Sequence, residues 1–163
     1  MKKTILLLFF AIQSCKNNNH EVITGQENKP LPAFKILLMD SVTYLNTRDI
    51  PAGKPTIILF FNPHCPYCRA DTKEMIDNIN TINNFNLYFI SNFPFASIKQ
   101  YYKGFSLNRY SNITVCQDPT SFFGSYYGAK AVPFIAVYDK NKNLKVALMG
   151  RIKINDILAK IKN

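Results

Sequence analysis

Past its first residues the chain sets short apolar runs against segments of helical spacing. Thr56 to Phe61 (TIILFF) is apolar over the length of one strand, with no alternation. That is the pattern of a central strand covered on both faces. Asn86 to Ser91 (NLYFIS), Ile113 to Cys116, Phe134 to Tyr138 (FIAVY) and Lys145 to Met149 (KVALM) read as further strands. Phe34 to Met39 and Val42 to Leu45 flank Asp40-Ser41 and predict a short hairpin. Met75, Ile76, Ile79 and Ile82 recur at helical spacing. A helix is therefore expected from just after Cys65 to Ile82, with Pro66 suited to its first turn. Pro94 to Phe105 predicts a second helix ended near Gly104, and Pro119 to Tyr127 a short third one capped by Gly128. Ile152 to Ile161 predicts a closing amphipathic helix. The turn-like Asp139 to Asn143 is short enough to make the last two strands antiparallel. Strand–helix alternation, then a hairpin and a helix, predicts an α/β fold with a mixed central sheet flanked by helices on both faces. There is no internal repeat.

The N-terminus (MKKTILLLFFAIQSCKNNN) has a different pattern. Lys2 and Lys3 precede an apolar stretch of eight residues, Ile5 to Ile12. A spanning helix needs about 20. Eight suits the apolar region of an export signal. Ile12-Gln13-Ser14-Cys15 resembles a bacterial lipobox, which implies cleavage before Cys15 and lipid attachment to it. Lys16 to Pro32 is polar with no periodic apolar face, so it reads as a flexible tether. The expected organisation is a lipoprotein signal peptide over 1–14, a lipid-anchored tether over 15–32 and one folded domain over 33–163.

Composition adds bounds. The chain has 163 residues, 47% of them hydrophobic and 18% charged, enough for a single domain with its own core. The formal net charge is +10. Without Lys2 and Lys3 there remain 18 basic and 10 acidic residues, or +8. The lysines are scattered rather than clustered, which describes a solvated basic surface and not a nucleic-acid interface.

Four cysteines carry the candidate chemistry: Cys15, Cys65, Cys68 and Cys116. With Cys15 taken by lipid, three remain, and an odd count is no disulfide scaffold. Cys65-Pro66-Tyr67-Cys68 has three readings: a redox dithiol, half of a metal site, or a structural pair. A structural zinc site needs about four ligands. Only His20, His64 and Cys116 are left to supply them, with no pairing in their spacing, so no metal is assigned. The soft pair still suits transient Cu(I). At a helix start, residues i and i+3 come close enough for a disulfide. The helix N-terminus favours a thiolate at Cys65, the attacking nucleophile, while Cys68, one turn further in, resolves the mixed disulfide. His64 and Arg69 flank the pair as candidates to add positive charge, with a solvent-exposed side chain that shapes only the turn as the equal alternative for His64; Pro66 and Tyr67 lie between the sulfurs. Pro133, directly before a buried strand, cannot donate to the ladder and marks a special turn. A cis bond is one way to make it. Cys116 reads as a small buried hydrophobe, with a third redox thiol as the sharper alternative.

Strand TIILFF, Cys65-Pro66-Tyr67-Cys68 opening a helix, Val132-Pro133, then FIAVYD and KVALMG before a last helix together resemble the thioredoxin superfamily over roughly Ala33 to Asn163. The resemblance implies a thioredoxin-like fold with a redox-active Cys65–Cys68 disulfide and no cofactor. It implies a cis bond at Pro133, and at Val132 a residue that pairs by backbone with the substrate. The chain has an extra strand–helix unit before Pro133, Gly53-Lys54-Pro55 before the central strand, and an anchor. In these it looks like the TlpA/ResA-type extracytoplasmic thiol–disulfide oxidoreductases. That branch implies a monomer in the bacterial cell envelope, facing the periplasm. It would exchange thiols with exported proteins and be recharged by a membrane electron-donor protein. The reductive direction is the first expectation, with oxidase or isomerase activity, or a copper-binding module that does not turn over, as alternatives. Three features depart from the pattern. His64 stands where the family usually has Trp, and the chain has no Trp at all. The Pro-Tyr pair between the cysteines is typical of glutaredoxins. Leu59 falls near the position of the buried acid that assists the second cysteine in thioredoxin, so another group or water must take the Cys68 proton.

Overall fold

The computed structural model describes residues 21–161. Its strands are β1 (Glu21–Val22), β2 (Lys35–Leu38), β3 (Tyr44–Asn46), β4 (Thr56–Phe60), β5 (Asn86–Ser91), β6 (Ile113–Gln117), β7 (Phe134–Tyr138) and β8 (Leu144–Met149). Its α-helices are α1 (Pro66–Asp77), α2 (Phe95–Gly104), α3 (Phe122–Tyr127) and α4 (Ile154–Ile161). The strands form one mixed sheet in the order β1-β8-β7-β4-β5-β6-β2-β3. β4, β5 and β6 run parallel, while β7 pairs antiparallel with β4, and β8 with β7.

Side chains alternate across a strand, and here the alternation sorts two cores. Ile57, Leu59, Phe89, Val115, Ile135 and Val137 face one side, under α1, α2 and α4, which contribute Met75, Ile98, Tyr101 and Ile157. Ile58, Phe60, Ile90, Cys116, Phe134 and Tyr138 face the other, under α3 with Phe123 and Tyr127. Every residue of β4 and β7 is buried, as the unbroken apolar run of β4 requires. Gly128 caps α3 in the left-handed conformation at φ 59°, where glycine escapes the Cβ clash. Both strand–helix units expected between α1 and Pro133 are present, as β5–α2 and β6–α3.

Three local expectations shift. α1 stops at Asp77 rather than Ile82. Asn78 turns its side-chain amide onto the Glu74 carbonyl at 2.9 Å, and tight turns carry the apolar spacing on to Ile82. Asparagine competes for backbone groups in this way and so ends helices. α3 begins at Phe122 rather than Pro119. The buried Asp118 carboxylate accepts from the N–H groups of Thr120 and Phe123 and holds the preceding residues in a turn. The described part of the segment read as a tether, residues 21–32, lies along the sheet. β1 pairs with β8, Asn28 N donates to the Leu144 carbonyl at 2.8 Å, Leu31 N donates to the Lys142 carbonyl at 2.8 Å, and Leu31 is buried. Backbone pairing to an open strand edge needs no apolar side-chain pattern, which is why the segment looked structureless. Lys160 also reaches the Glu21 carboxylate at 2.6 Å. Among the described residues no helix is long and apolar enough to cross a membrane. The signal segment and Cys15 lie outside the described residues, as does His20.

Candidate active site

The chain leaves β4 at Phe60 and turns into α1 through Asn62. The Asn62 side-chain oxygen accepts from His64 N at 2.8 Å, and its carbonyl accepts from Cys65 N at 3.0 Å. Cys65 is then the N-cap residue of α1, with extended φ and ψ of −73° and 122° and no side chain capping the helix. Pro66 occupies the first helical turn. The Cys65 sulfur thus sits where the helix exposes N–H groups without intrahelical partners. Both thiols are free, Cys65 half-buried and Cys68 buried.

The Val132–Pro133 peptide bond is cis. The loop that carries it is held to the sheet by Gly150 N, which donates to the Pro133 carbonyl at 2.9 Å. Its position sets the Val132 carbonyl 3.8 Å from Cys65 Sγ, which donates to it. Residues 67 positions apart in sequence therefore meet at one sulfur.

The flanking residues differ in what they touch. Tyr67 is exposed beside the pair. His64 is exposed, with its ring edge against Phe93 at 6.2 Å. Arg69 donates its backbone N–H to the Cys65 carbonyl at 3.1 Å, and its guanidinium lies over the Phe105 ring at 4.8 Å and the Tyr101 ring at 5.7 Å. His64 and Arg69 line a cleft of about 270 Å³ between the start of α1 and one face of α2.

Cys68 faces the core beneath α2. Its thiol is pushed well above the ordinary range, first by burial and also by the neighbouring Cys65 and the Asp71 charge; a backbone hydrogen bond from Asn62 opposes the shift. The Tyr101 hydroxyl donates to the Cys68 carbonyl at 3.2 Å and meets the Thr72 hydroxyl, fixing α2 onto this turn.

Asp71 is the residue that reading the sequence missed. With Cys68, Thr72 and Met75 it forms the buried face of α1. Residues three apart on a helix are neighbours, so a carboxylate 1% exposed stands beside the buried thiol. Leu59, where an acid was sought, packs into the same core. The signal was available: an aspartate on the apolar side of an amphipathic helix, three residues after a cysteine. Asp71 also accepts from Ile152 N at 3.3 Å, tying α1 to the segment before α4. Asp71→Asn keeps an oxygen for Ile152 and removes the carboxylate that would take the Cys68 proton. Loss of a positioned base costs typically 10²–10⁴-fold. The release of a Cys65 mixed disulfide by Cys68 is expected to slow about 100-fold at pH 7 and to recover as pH rises. Quenched single-turnover kinetics across pH would show this. A rate loss that does not depend on pH would make Asp71 only a structural tie.

Cys116 does not join this group. It is fully buried against the Phe89 carbonyl in the core on the other face of the sheet from Cys68. That is the place of a small hydrophobe and not of a third redox thiol. Among the described residues no group of three or more His, Cys, Asp or Glu side chains is arranged to hold a metal ion.

No family model matches the chain, and no curated protein matches it in sequence. Solved structures do. The exposed lipoprotein thioredoxin of Streptococcus pneumoniae is 22% identical, with 80% of this chain aligned to 98% of that one at a TM-score of 0.65. The thioredoxin domain of a thiol-disulfide oxidoreductase from Bacteroides vulgatus is 17% identical, over 83% of this chain and 95% of that one, at 0.65. A peroxidoxin from Mycobacterium tuberculosis is 11% identical, over 84% and 96%, at 0.68. The chain has the thioredoxin-like fold. Peroxidoxin among its neighbours shows that this fold hosts more than one chemistry, so function has to be argued from the site.

Proposed function

We propose that the protein is a membrane-anchored thiol–disulfide oxidoreductase that reduces disulfides of exported proteins. The observation that carries this reading is the meeting of two thiols at the start of α1 with the Val132 carbonyl, 3.8 Å from Cys65 Sγ. The Cys65 thiolate attacks one sulfur of a substrate disulfide; that S–S bond breaks, and the first substrate sulfur leaves and takes a proton. Val132, before Pro133, presents its backbone to the substrate chain during this mixed disulfide. Cys68 gives its proton towards Asp71 and attacks the Cys65 sulfur, and the second substrate thiol departs. Two electrons have passed to the substrate, and the Cys65–Cys68 disulfide remains. A dithiol donor protein at the membrane reduces it back to two thiols, itself becoming a disulfide, and no cofactor is needed.

Anchoring through Cys15 rests on the lipobox resemblance, and a periplasmic, monomeric domain rests on the TlpA/ResA-type pattern. The exposed lipoprotein among the structural neighbours supports the first of these. The direction of transfer is tested by the reduction potential of the Cys65–Cys68 couple, by equilibration in defined thiol–disulfide buffers. Dithiol proteins span about −270 to −120 mV. A reductase is expected in the lower half of that span. A value at the oxidising end would reassign the protein to disulfide formation or isomerisation. The absence of any two-electron couple would remove the exchange chemistry altogether and leave thiolate binding of Cu(I).

A further inference from the structure

Arg69 is a cation placed beside the dithiol, and among the described residues no carboxylate pairs with it. It is exposed, and its guanidinium lies over the Phe105 and Tyr101 rings, at 4.8 and 5.7 Å. The three acids of its own helix are committed elsewhere. Asp71 is buried and accepts from Ile152 N, Glu74 accepts from Ile154 N, and Asp77 pairs with Lys73 at 2.6 Å. The opposite wall of the cleft offers no acid either. From Asn78 to Gln117 the sequence contains no Asp or Glu, while α2 contributes Lys99 and Lys103 and the turn after it contributes Arg109. Ser97, Gln100, Tyr101 and Gly104, at helical spacing on one face of α2, complete the lining with Pro63, His64 and Arg69. The guanidinium carbon lies over the faces of two rings, and among the described residues no side-chain hydrogen bond or ion pair takes up its N–H fork, the group that grips a carboxylate.

The location gives the cleft its meaning. Cys65 and Arg69 are four residues apart on one helix face, joined by the hydrogen bond from Arg69 N to the Cys65 carbonyl. A chain bonded through its cysteine to Cys65 advances at most about 3.5 Å per residue. A side chain one or two residues from that cysteine therefore reaches the cleft on the α2 side, while Val132 holds the backbone on the other. We infer that this cleft is a specificity pocket for a carboxylate of the substrate polypeptide, with Arg69 as its anchor. The protein prefers disulfides whose cysteine has Asp or Glu within two residues. The inference rests on the oxidoreductase reading of Cys65 and Cys68, but its test does not need turnover.

The full chain carrying Cys68→Ala traps mixed disulfides at Cys65. It is equilibrated in a thiol–disulfide buffer with equal amounts of two cysteine peptides, one with Glu and one with Gln at a single position from −2 to +2. The two adducts are counted by mass spectrometry. At low salt the Glu adduct is expected to dominate about fivefold at one or more positions, the scale of a single partly screened ion pair with hydrogen bonds. The ratio is expected to fall with salt, as surface pairing does. Arg69→Gln in the same background is expected to bring it to about one, and Arg69→Lys to an intermediate value. A circular-dichroism melt confirms that each variant folds. A ratio near one at every position with Arg69 in place would overturn the inference, as would a ratio that survives Arg69→Gln. A third arm compares glutathione with its ethyl ester. A preference seen only there would make the pocket a site for the tripeptide and overturn its assignment to polypeptides. If the adduct ratios hold while the parent protein fails to reduce insulin, the oxidoreductase reading falls and the carboxylate pocket stands.

Discussion

Replacing Cys65 by Ser is expected to bring insulin reduction, driven by a thiol donor, down to the rate of the donor alone. A hydroxyl neither ionises near neutral pH nor forms a disulfide, and it is the thiolate that attacks. Among the described residues no other thiol can stand in. Cys68 is buried with its thiol held in the neutral form by that burial, and Cys116 lies on the other side of the sheet. Cys68→Ala should behave differently. The first attack proceeds, no internal thiol releases the product, and a 1:1 mixed disulfide accumulates on a non-reducing gel. Turnover then depends on external thiol. Equal, complete loss in both variants, with no adduct in either, would show that the pair acts as a unit other than an attacking and a resolving thiol. Normal turnover in Cys65→Ser would remove the site from the chemistry.

Phe123→Ala is expected to have the largest effect on stability. Phe123 is fully buried, with ring centroids of Tyr127, Phe60, Phe134 and Phe34 at 4.7, 5.3, 6.1 and 6.4 Å. It pins the short α3, whose six residues could not hold a helix alone. Phe→Ala in a core costs about 3–5 kcal/mol from lost transfer energy and the cavity left behind. The thermal midpoint should drop by about 10 °C. Urea denaturation followed by circular dichroism measures it, since the chain has no Trp to report by fluorescence. Val42→Ala, at a side chain 76% exposed, is the control and should change stability by no more than about 0.5 kcal/mol. A Phe123→Ala loss below about 1 kcal/mol would mean that α3 collapses onto the vacated space.

Much of this architecture was legible because apolar period and turn chemistry agree. TIILFF could only be a strand covered on both faces, and the helix after Cys65 follows from Pro66 and the spacing of its apolar residues. The juxtaposition of Cys65 and Val132 was not in any local pattern; only the resemblance put those two segments together. Asp71 was readable from helical spacing and was passed over because the acid was sought on the strand, at Leu59. The end of α1 at Asp77 depends on one asparagine taking a carbonyl, a competition that apolar periodicity does not register. Arg69 was visible as a charge beside the pair. That it pairs with no carboxylate among the described residues needed the partners of Asp71, Glu74 and Asp77, which are structural facts.

The register of β1 has a consequence for how far the protein can reach. Glu21 pairs with Leu148, next to Met149, which pairs with Phe134 directly after the Val132–Pro133 bond. The chain therefore joins the sheet at the end that carries the dithiol. Six residue steps separate Cys15 from Glu21, at most about 20 Å of extended chain. A lipid on Cys15 would leash the domain by its reactive end, with the sulfurs turned towards the bilayer surface and the far end of the sheet towards open solvent. Partners would then be selected by height above the membrane as well as by chemistry. Thiols carried close to the lipid would be served, and those on tall complexes would stay beyond the leash.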